Sequence, residues 1–113
     1  MRHRESLSSE LLPGTLEMLI LKTLTRRAAH GYAIARHLER VSDDVLRVGE
    51  SSLYPALQRL ERKGWISSGW EDTERGRPMK FYRLTAAGRK QLAVEASRWN
   101  QLAGAIARVM RPA

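Results

Sequence analysis

The chain has 113 residues and carries twenty Lys and Arg against twelve Asp and Glu, which gives a net charge of +8 at pH 7. This length fits one small domain, and the absence of cysteine excludes a disulfide framework and a thiolate metal site. The longest apolar run, 18–21, is too short to cross a bilayer, and no signal core follows the first arginines, so we expect a cytoplasmic protein. The excess positive charge favours a polyanionic partner, most often nucleic acid.

The first predicted helix is apolar on nearly all of its sides. Residues 1–10 are polar and are expected to form a flexible arm, after which Pro13 suits the first turn of a helix. One peripheral helix of a small monomer does not bury so many apolar side chains. We therefore predict that a second copy of the chain covers part of this helix, at Leu16, Met18 and Leu21.

A second helix is predicted over 30–42, with Ile34, Leu38 and Val41 facing inward. Residues 43–49 then form a connector to the third helix.

The third helix has an apolar side and a polar side. Leu53, Leu57 and Leu60 recur at helical spacing and predict contact with a core. The opposite side has a single acid, Glu61, at its edge, whereas an ordinary solvated face mixes acids with bases. The residues of this polar side are Ser51, Ser52, Pro55, Gln58, Arg59 and Arg62.

The ends of the third helix follow from local signals. Ser51 or Ser52 is expected to be the N-cap, which places Pro55 at the end of the first turn, where amide hydrogens lack intrahelical partners. Gly64 is expected to end the helix.

A two-stranded hairpin is predicted next, from strands at 65–71 and 80–84, because Trp, Ile, Phe and Tyr residues favour strands. Gly76 and Pro78 make the intervening segment a loop.

A long last helix is predicted to begin after Thr85 as its N-cap. Within it, apolar residues recur at steps of 4, 3, 4, 3 and 4, the pattern of a heptad seam that pairs with another helix. The residues of this seam are Leu92, Ala96, Trp99, Ala103, Ile106 and Met110.

This order of elements predicts a mainly α fold with a small β-hairpin, namely a winged helix-turn-helix domain at 11–84 and a dimerisation helix at 85–113. In such folds the third helix enters the DNA major groove, which admits one helix, and the hairpin lies near the backbone or the minor groove. We expect the long side chains to reach base edges and the hydroxyls to reach phosphates. The candidate DNA contacts are Ser51, Ser52, Tyr54, Pro55, Gln58, Arg59, Arg62 and Lys63 on the helix, and Arg75, Arg77 and Lys80 on the hairpin.

The segments LLPGTLEMLILKTL, HGYAI, SSLYPALQRLERKGWI and GRPMKFYRLTAAGRKQL resemble the PadR family of bacterial transcriptional regulators, over about residues 11–110. The resemblance implies a homodimer paired mainly through the last helix. It also implies that the dimer represses transcription by occupying a palindromic operator, and that a small molecule or another signal relieves this repression. It also implies that His30, Gly31 and Tyr32 lie near DNA. Met79 departs from the family, in which a basic residue is frequent at this position.

Several residues have alternative interpretations. Trp99 either fills the dimer seam or offers a flat platform for a small aromatic effector, as in some relatives. Tyr32 either packs or reaches a phosphate. His30 has no second ligand at suitable spacing, so we expect a capping or packing role and no metal. We find no phosphate loop and no nucleophile beside a base, and we expect neither enzymatic activity nor a cofactor.

Two other functions are compatible with a basic winged helix. One is a protein–protein adaptor whose charge is incidental to its function. The other is an architectural or RNA-binding protein without a preferred operator. The polar side of the third helix, at Ser52, Pro55, Arg59 and Arg62, favours DNA.

Overall fold

Three short helices, a three-stranded antiparallel sheet and one long helix make up residues 13–112, the part of the chain that the computed structural model describes. The predicted mainly helical winged fold is confirmed, and the arm expected at 1–10 lies outside the described residues. Among the described residues no helix has the length and apolarity needed to cross a membrane. In chain order the elements are α1 (Pro13–Thr23), β1 (Ala29–His30), α2 (Gly31–Val41), α3 (Glu50–Arg62), β2 (Ile66–Asp72), β3 (Pro78–Leu84) and α4 (Ala86–Met110).

The core lies where α1, α2 and α3 meet, and the sheet closes one side of it. The inward side predicted for α3 is confirmed, because its leucines are almost completely buried. The buried apolar residues are Leu16, Ile20, Leu21, Leu24, Ile34, Leu38, Leu53, Ala56, Leu57, Leu60, Ile66 and Tyr82.

Three side chains differ from the sequence predictions. Leu16 and Leu21 are buried in the core of the chain itself, so they offer no surface to a partner. Of the three α1 residues expected at a dimer interface, only Met18 is partly accessible. Val41 was expected to face inward and is 68% exposed, because it is the last residue of α2 and lies beyond the core.

The sheet has one more strand than the predicted hairpin. Strands β2 and β3 pair from Ile66 with Leu84 to Asp72 with Pro78, and the short β1 adds to the other edge of β3. Its two residues, Ala29 and His30, pair with β3 directly before α2 begins. The middle of β3 is therefore attached to the start of α2.

The N-terminus of α3 lies earlier than predicted. Gly49 is the N-cap, no side chain caps the helix, and the Leu53 amide donates to the Gly49 carbonyl at 2.9 Å. The prediction of a serine cap is wrong, because glycine is also favoured at this position. Pro55 consequently lies in the second turn, on the exposed side of the helix.

The predicted end of α3 is confirmed. Gly64 has φ +76°, its amide donates to the Glu61 carbonyl at 3.0 Å, and the Trp65 amide donates to the Leu60 carbonyl at 3.0 Å. This pair of bonds is the Schellman motif, in which glycine adopts the left-handed conformation without a steric cost.

Helix α4 begins at a corner that contains no linker. Thr85 is its N-cap, as predicted: its hydroxyl accepts from the Gly88 amide at 3.0 Å and donates to the Gly64 carbonyl at 2.7 Å. The Thr85 amide also donates to the Trp65 carbonyl at 3.1 Å. A Cβ atom on Gly88 would lie 2.0 Å from that carbonyl oxygen, so only glycine permits this approach. We call Gly64, Trp65, Thr85 and Gly88 the α4 corner.

Candidate nucleic-acid interface

The most prominent polar surface of α3 is a ridge along its outer side. Ser51, Pro55, Gln58 and Arg62 are spaced by one helical turn, and all four side chains are exposed. We call these four residues the α3 ridge. The acids of the helix lie outside it: Glu50 is in the first turn, and Glu61 is on the flank that faces the sheet.

One flank of α3 is attached to α1 by a buried carboxylate. Glu17 is 8% exposed, its Oε2 lies 2.7 Å from Arg59 Nε, and its Oε1 lies 3.7 Å from Lys63 Nζ. Lys63 Nζ also lies 4.8 Å from the centre of the Trp65 ring. Arg59 was expected to read a base, but its guanidinium is directed to α1 and is half-buried.

Glu17 is the residue of this surface that the sequence reasoning missed. It lies on the helix that was described as apolar on nearly all of its sides, and no partner was predicted for it. A carboxylate among apolar residues needs a cation and hydrogen-bond donors to offset the loss of hydration. The sequence provided that signal but not the identity of the partner, 42 positions away.

The other flank of α3 is attached to the hairpin. Glu61 accepts a hydrogen bond from Ser68 of β2, and Lys80 Nζ lies 3.7 Å from its second oxygen. Lys80 Nζ is also 5.7 Å from the centre of the Tyr82 ring. Burial, and then the negative charge of Glu61, raise the pKa of Tyr82, so its hydroxyl stays protonated at neutral pH. Lys80, which is opposite Trp70 in the third residue pair from the turn, thus ties the hairpin to α3.

The tip of the hairpin presents two arginines. Thr73 closes the turn, since its amide and its hydroxyl bond to the Arg77 carbonyl at 3.1 and 2.8 Å. Gly76 has φ +79°, and its amide donates to the Thr73 carbonyl at 2.9 Å. Arg75 and Arg77 are exposed and form no ion pair within residues 13–112, whereas Glu71 below the turn pairs with Arg83.

The start of α2 lies beside α3. His30 caps the helix, because its Nδ1 accepts from the Ala33 amide at 3.2 Å, and its ring meets the Phe81 ring edge-on at 5.5 Å. The Tyr54 ring lies against Gly31, where a Cβ atom would be 2.9 Å from its hydroxyl oxygen. Tyr32 is exposed, and its hydroxyl accepts from Arg36 at 3.0 Å. No group of residues suited to a metal ion occurs among the described residues.

Helix α4 has a row of exposed apolar side chains beyond its first turns. Its 25 residues bury only Gly88 within the described chain, and Trp99 is 49% exposed. A groove of about 560 Å³ between α1 and α4 is lined by Met18, Leu92, Ala96 and Trp99, among others. Further along the same helix, Ile106 and Met110 are exposed as well.

The helical core, the hairpin and the exposed third helix define a winged helix-turn-helix protein. The family model described as "Transcriptional regulator PadR-like family" matches residues 20–94, more than half of the chain, and the chain therefore belongs to this family. The members of this family are transcriptional regulators rather than enzymes, and their fold is that of a DNA-binding regulator.

Solved structures agree with this assignment. A transcriptional regulator from Clostridium thermocellum superposes with a TM-score of 0.80 at 26% identity, covering 87% of this chain and 95% of that one. A PadR family transcriptional regulator from Eggerthella lenta gives a TM-score of 0.74 at 32% identity, covering 88% and 85%. An uncharacterized protein X of Lysinibacillus sphaericus is 28% identical over 94 residues, 83% of this chain and 86% of the relative.

Proposed function

We propose that the protein is a homodimeric, sequence-specific DNA-binding repressor that leaves its operator in response to a small molecule or another signal. The observation that carries this proposal is the α3 ridge, which is exposed, contains an arginine and an amide, and excludes both acids of its helix. A helix with this composition fits the major groove, where arginine and glutamine side chains pair with guanine and adenine edges.

The ridge residues have different roles in this proposal. Arg62 and Gln58 read base edges, Pro55 makes an apolar contact, and Ser51 donates to a phosphate near the helix start. Ser52, Tyr54 and Lys63 flank the ridge and contact the backbone. Arg59 acts as a positioning residue, because its ion pair with Glu17 fixes α3 on α1.

The hairpin and the start of α2 extend the proposed surface. Arg75 and Arg77 at the tip are free of ion pairs within residues 13–112 and fit a narrow minor groove, whose negative potential attracts arginine. Lys80 lies on β3 near the tip, and His30 and Tyr32 lie at the start of α2. These residues add contacts to the phosphate backbone on either side of the groove.

The proposed dimer forms along α4. An isolated chain leaves the apolar side chains of Trp99, Ile106 and Met110 in water, and their burial against a second copy is favourable. The complete seam, from Leu92 through Ala96 and Ala103 to Met110, follows a heptad pattern. Trp99 also lines the groove beside α1, where a small aromatic effector can contact it.

One observation favours the second candidate function, a protein–protein adaptor. Trp70 on β2 is 70% exposed, and exposed aromatic side chains are enriched at protein interfaces. In this alternative the hairpin binds a protein partner and the ridge contributes nothing.

Binding to DNA at several salt concentrations distinguishes the two functions. Fluorescence anisotropy compares a random duplex with fragments of the source genome, and footprinting then locates the protected sequence. The repressor shows a steep salt dependence and prefers its operator by roughly 10³-fold or more over random DNA. A folded protein that binds both DNAs equally weakly supports the adaptor instead.

A further inference from the structure

A basic cavity lies on the side of the protein formed by α2 and the segment that follows α1. Its volume is about 490 Å³, within the range of small-molecule sites. Four guanidinium groups line it, from Arg26, Arg27, Arg36 and Arg40, together with the imidazole of His37. Within the described part of the chain, no Asp or Glu contributes to its wall. We call it the arginine cavity.

Most of the positive charge in the arginine cavity has no counterion among residues 13–112. Arg36 donates to the Tyr32 hydroxyl and lies 3.7 Å from Glu39. Arg26, Arg27 and Arg40 form no ion pair among the described residues. Like charges that line one concave surface raise its potential and attract anions.

His37 lies among these positive charges. Burial, followed by the charges of Arg40 and Arg26, lowers the pKa of its imidazole. The ring is therefore neutral at pH 7 and can donate one hydrogen bond to an anion.

We infer that the arginine cavity is a binding site for a phosphate group. Guanidinium is the side-chain group best suited to phosphate, because its planar fork of N–H donors matches two phosphate oxygens at once. One guanidinium is enough to pair with a single carboxylate. Four of them on one concave wall therefore suit phosphate better than a carboxylate. The family assignment does not itself assign a role to Arg26, Arg27, Arg40 or His37.

Two sources can supply the phosphate. His30 and Tyr32 line the arginine cavity and also mark the start of α2, next to Tyr54 of α3. One source is thus a backbone phosphate of duplex DNA that extends beyond the major-groove contact. This case rests on the proposed function. A free phosphorylated small molecule is the other, and it requires no DNA binding.

The first measurement tests the free phosphate. Isothermal titration of inorganic phosphate and of pyrophosphate is performed on the full chain, on the Arg26→Ala/Arg27→Ala variant and on the Arg108→Ala/Arg111→Ala variant. Each variant removes two positive charges from exposed arginines. Arg108 and Arg111 lie at the far end of α4, so their variant is the control for the loss of charge alone. We expect saturable binding by the full chain and by the α4 control, and at least tenfold weaker binding by the cavity variant.

The second measurement tests the DNA phosphate. The slope of log binding constant against log salt on a random duplex counts the phosphates that the protein contacts. We expect the magnitude of this slope to fall by about 1 for each phosphate that the cavity variant no longer binds, with no change in the α4 control.

The outcomes separate the inference from the proposed function. If the cavity variant loses only the binding of inorganic phosphate or pyrophosphate, the site binds a free ligand. If its salt slope on random DNA falls, the site binds a DNA phosphate. No difference between the two variants in either measurement overturns the inference, even where the protein prefers its operator. A protein without any operator preference overturns the proposed function, while the titration still decides on the phosphate site.

Discussion

Arg59 Nε lies 2.7 Å from Glu17 Oε2, and this ion pair joins α3 to α1 through a carboxylate that is almost inaccessible to water. The pair therefore fixes the helix that carries the proposed DNA contacts on the helix that borders α4. Met18, the neighbour of Glu17, lines the groove beside Trp99. A change at the α4 groove thus has a short structural route to α3.

Arg59→Ala should lower the free energy of unfolding by about 1–3 kcal/mol, because it leaves Glu17 buried with only Lys63 nearby. Urea denaturation measures this loss. In a double-mutant cycle with Glu17→Ala, the double variant should lose less than the sum of the two single variants. An unchanged stability combined with weaker operator binding would instead make Arg59 a base-reading residue.

Arg62→Ala should weaken binding to the operator by about 1–3 kcal/mol and binding to random DNA by less, because the side chain lies on the exposed ridge. Competition anisotropy measures both affinities. Arg108→Ala, which removes the same charge from α4, serves as the control. Equal losses on the two DNAs would show that Arg62 contacts a phosphate and no base.

Gly88→Ala should destabilise the protein by about 3 kcal/mol, because the new Cβ atom would lie 2.0 Å from the Trp65 carbonyl oxygen at the α4 corner. Gly104→Ala is the matched control in the same helix. Its Cβ atom meets only the end of Arg108 at 3.6 Å, so we expect a gain of about 0.5–1 kcal/mol from helix propensity. Thermal unfolding compares the two variants, and equal effects would contradict the close packing.

Trp99→Asp should convert the proposed dimer to a monomer, because it places a charge in the apolar seam of α4. Light scattering measures the mass. Ser97→Asp adds the same charge on the opposite side of the helix, where we expect no change. An unchanged mass for the Trp99 variant would exclude the seam as the interface.

The stability of the protein should fall with pH below about 6.5, the ordinary pKa of histidine. The folded state lowers the pKa of His37, so the unfolded chain takes up the proton first, and the fold loses stability as the pH drops toward the folded pKa. His37→Gln removes this contribution. Urea denaturation at pH 7.5 and 5.5 measures the free energy of unfolding, and its decrease between these pH values should be smaller in the variant than in the wild type. An equal decrease in both proteins would contradict this role of His37.

Local patterns were sufficient to predict most of the fold. The spacing of Leu53, Leu57 and Leu60 identified the buried side of α3, and Gly64 and Thr85 marked helix ends that the structure confirms. The winged fold then followed from the order of the elements and from the resemblance to the PadR family.

Long-range pairing was what the sequence could not provide. The direction of the Arg59 side chain depends on Glu17, and two residues of β1 are too few to show a strand period. The apolar excess of α1 was assigned to a partner chain because its Leu16 and Leu21 could not be placed against α2 and α3 without the structure. The roles of the ridge and hairpin residues toward DNA stay predictions.

The α4 corner has a consequence for the choice of binding site. Its hydrogen bonds attach the winged domain to the 25-residue helix α4, which is about 37 Å long, without a flexible linker. In the proposed dimer the two winged domains are therefore held at one fixed separation. Such a protein accepts inverted repeats of a single separation, and inserting half a turn of duplex between them should abolish recognition.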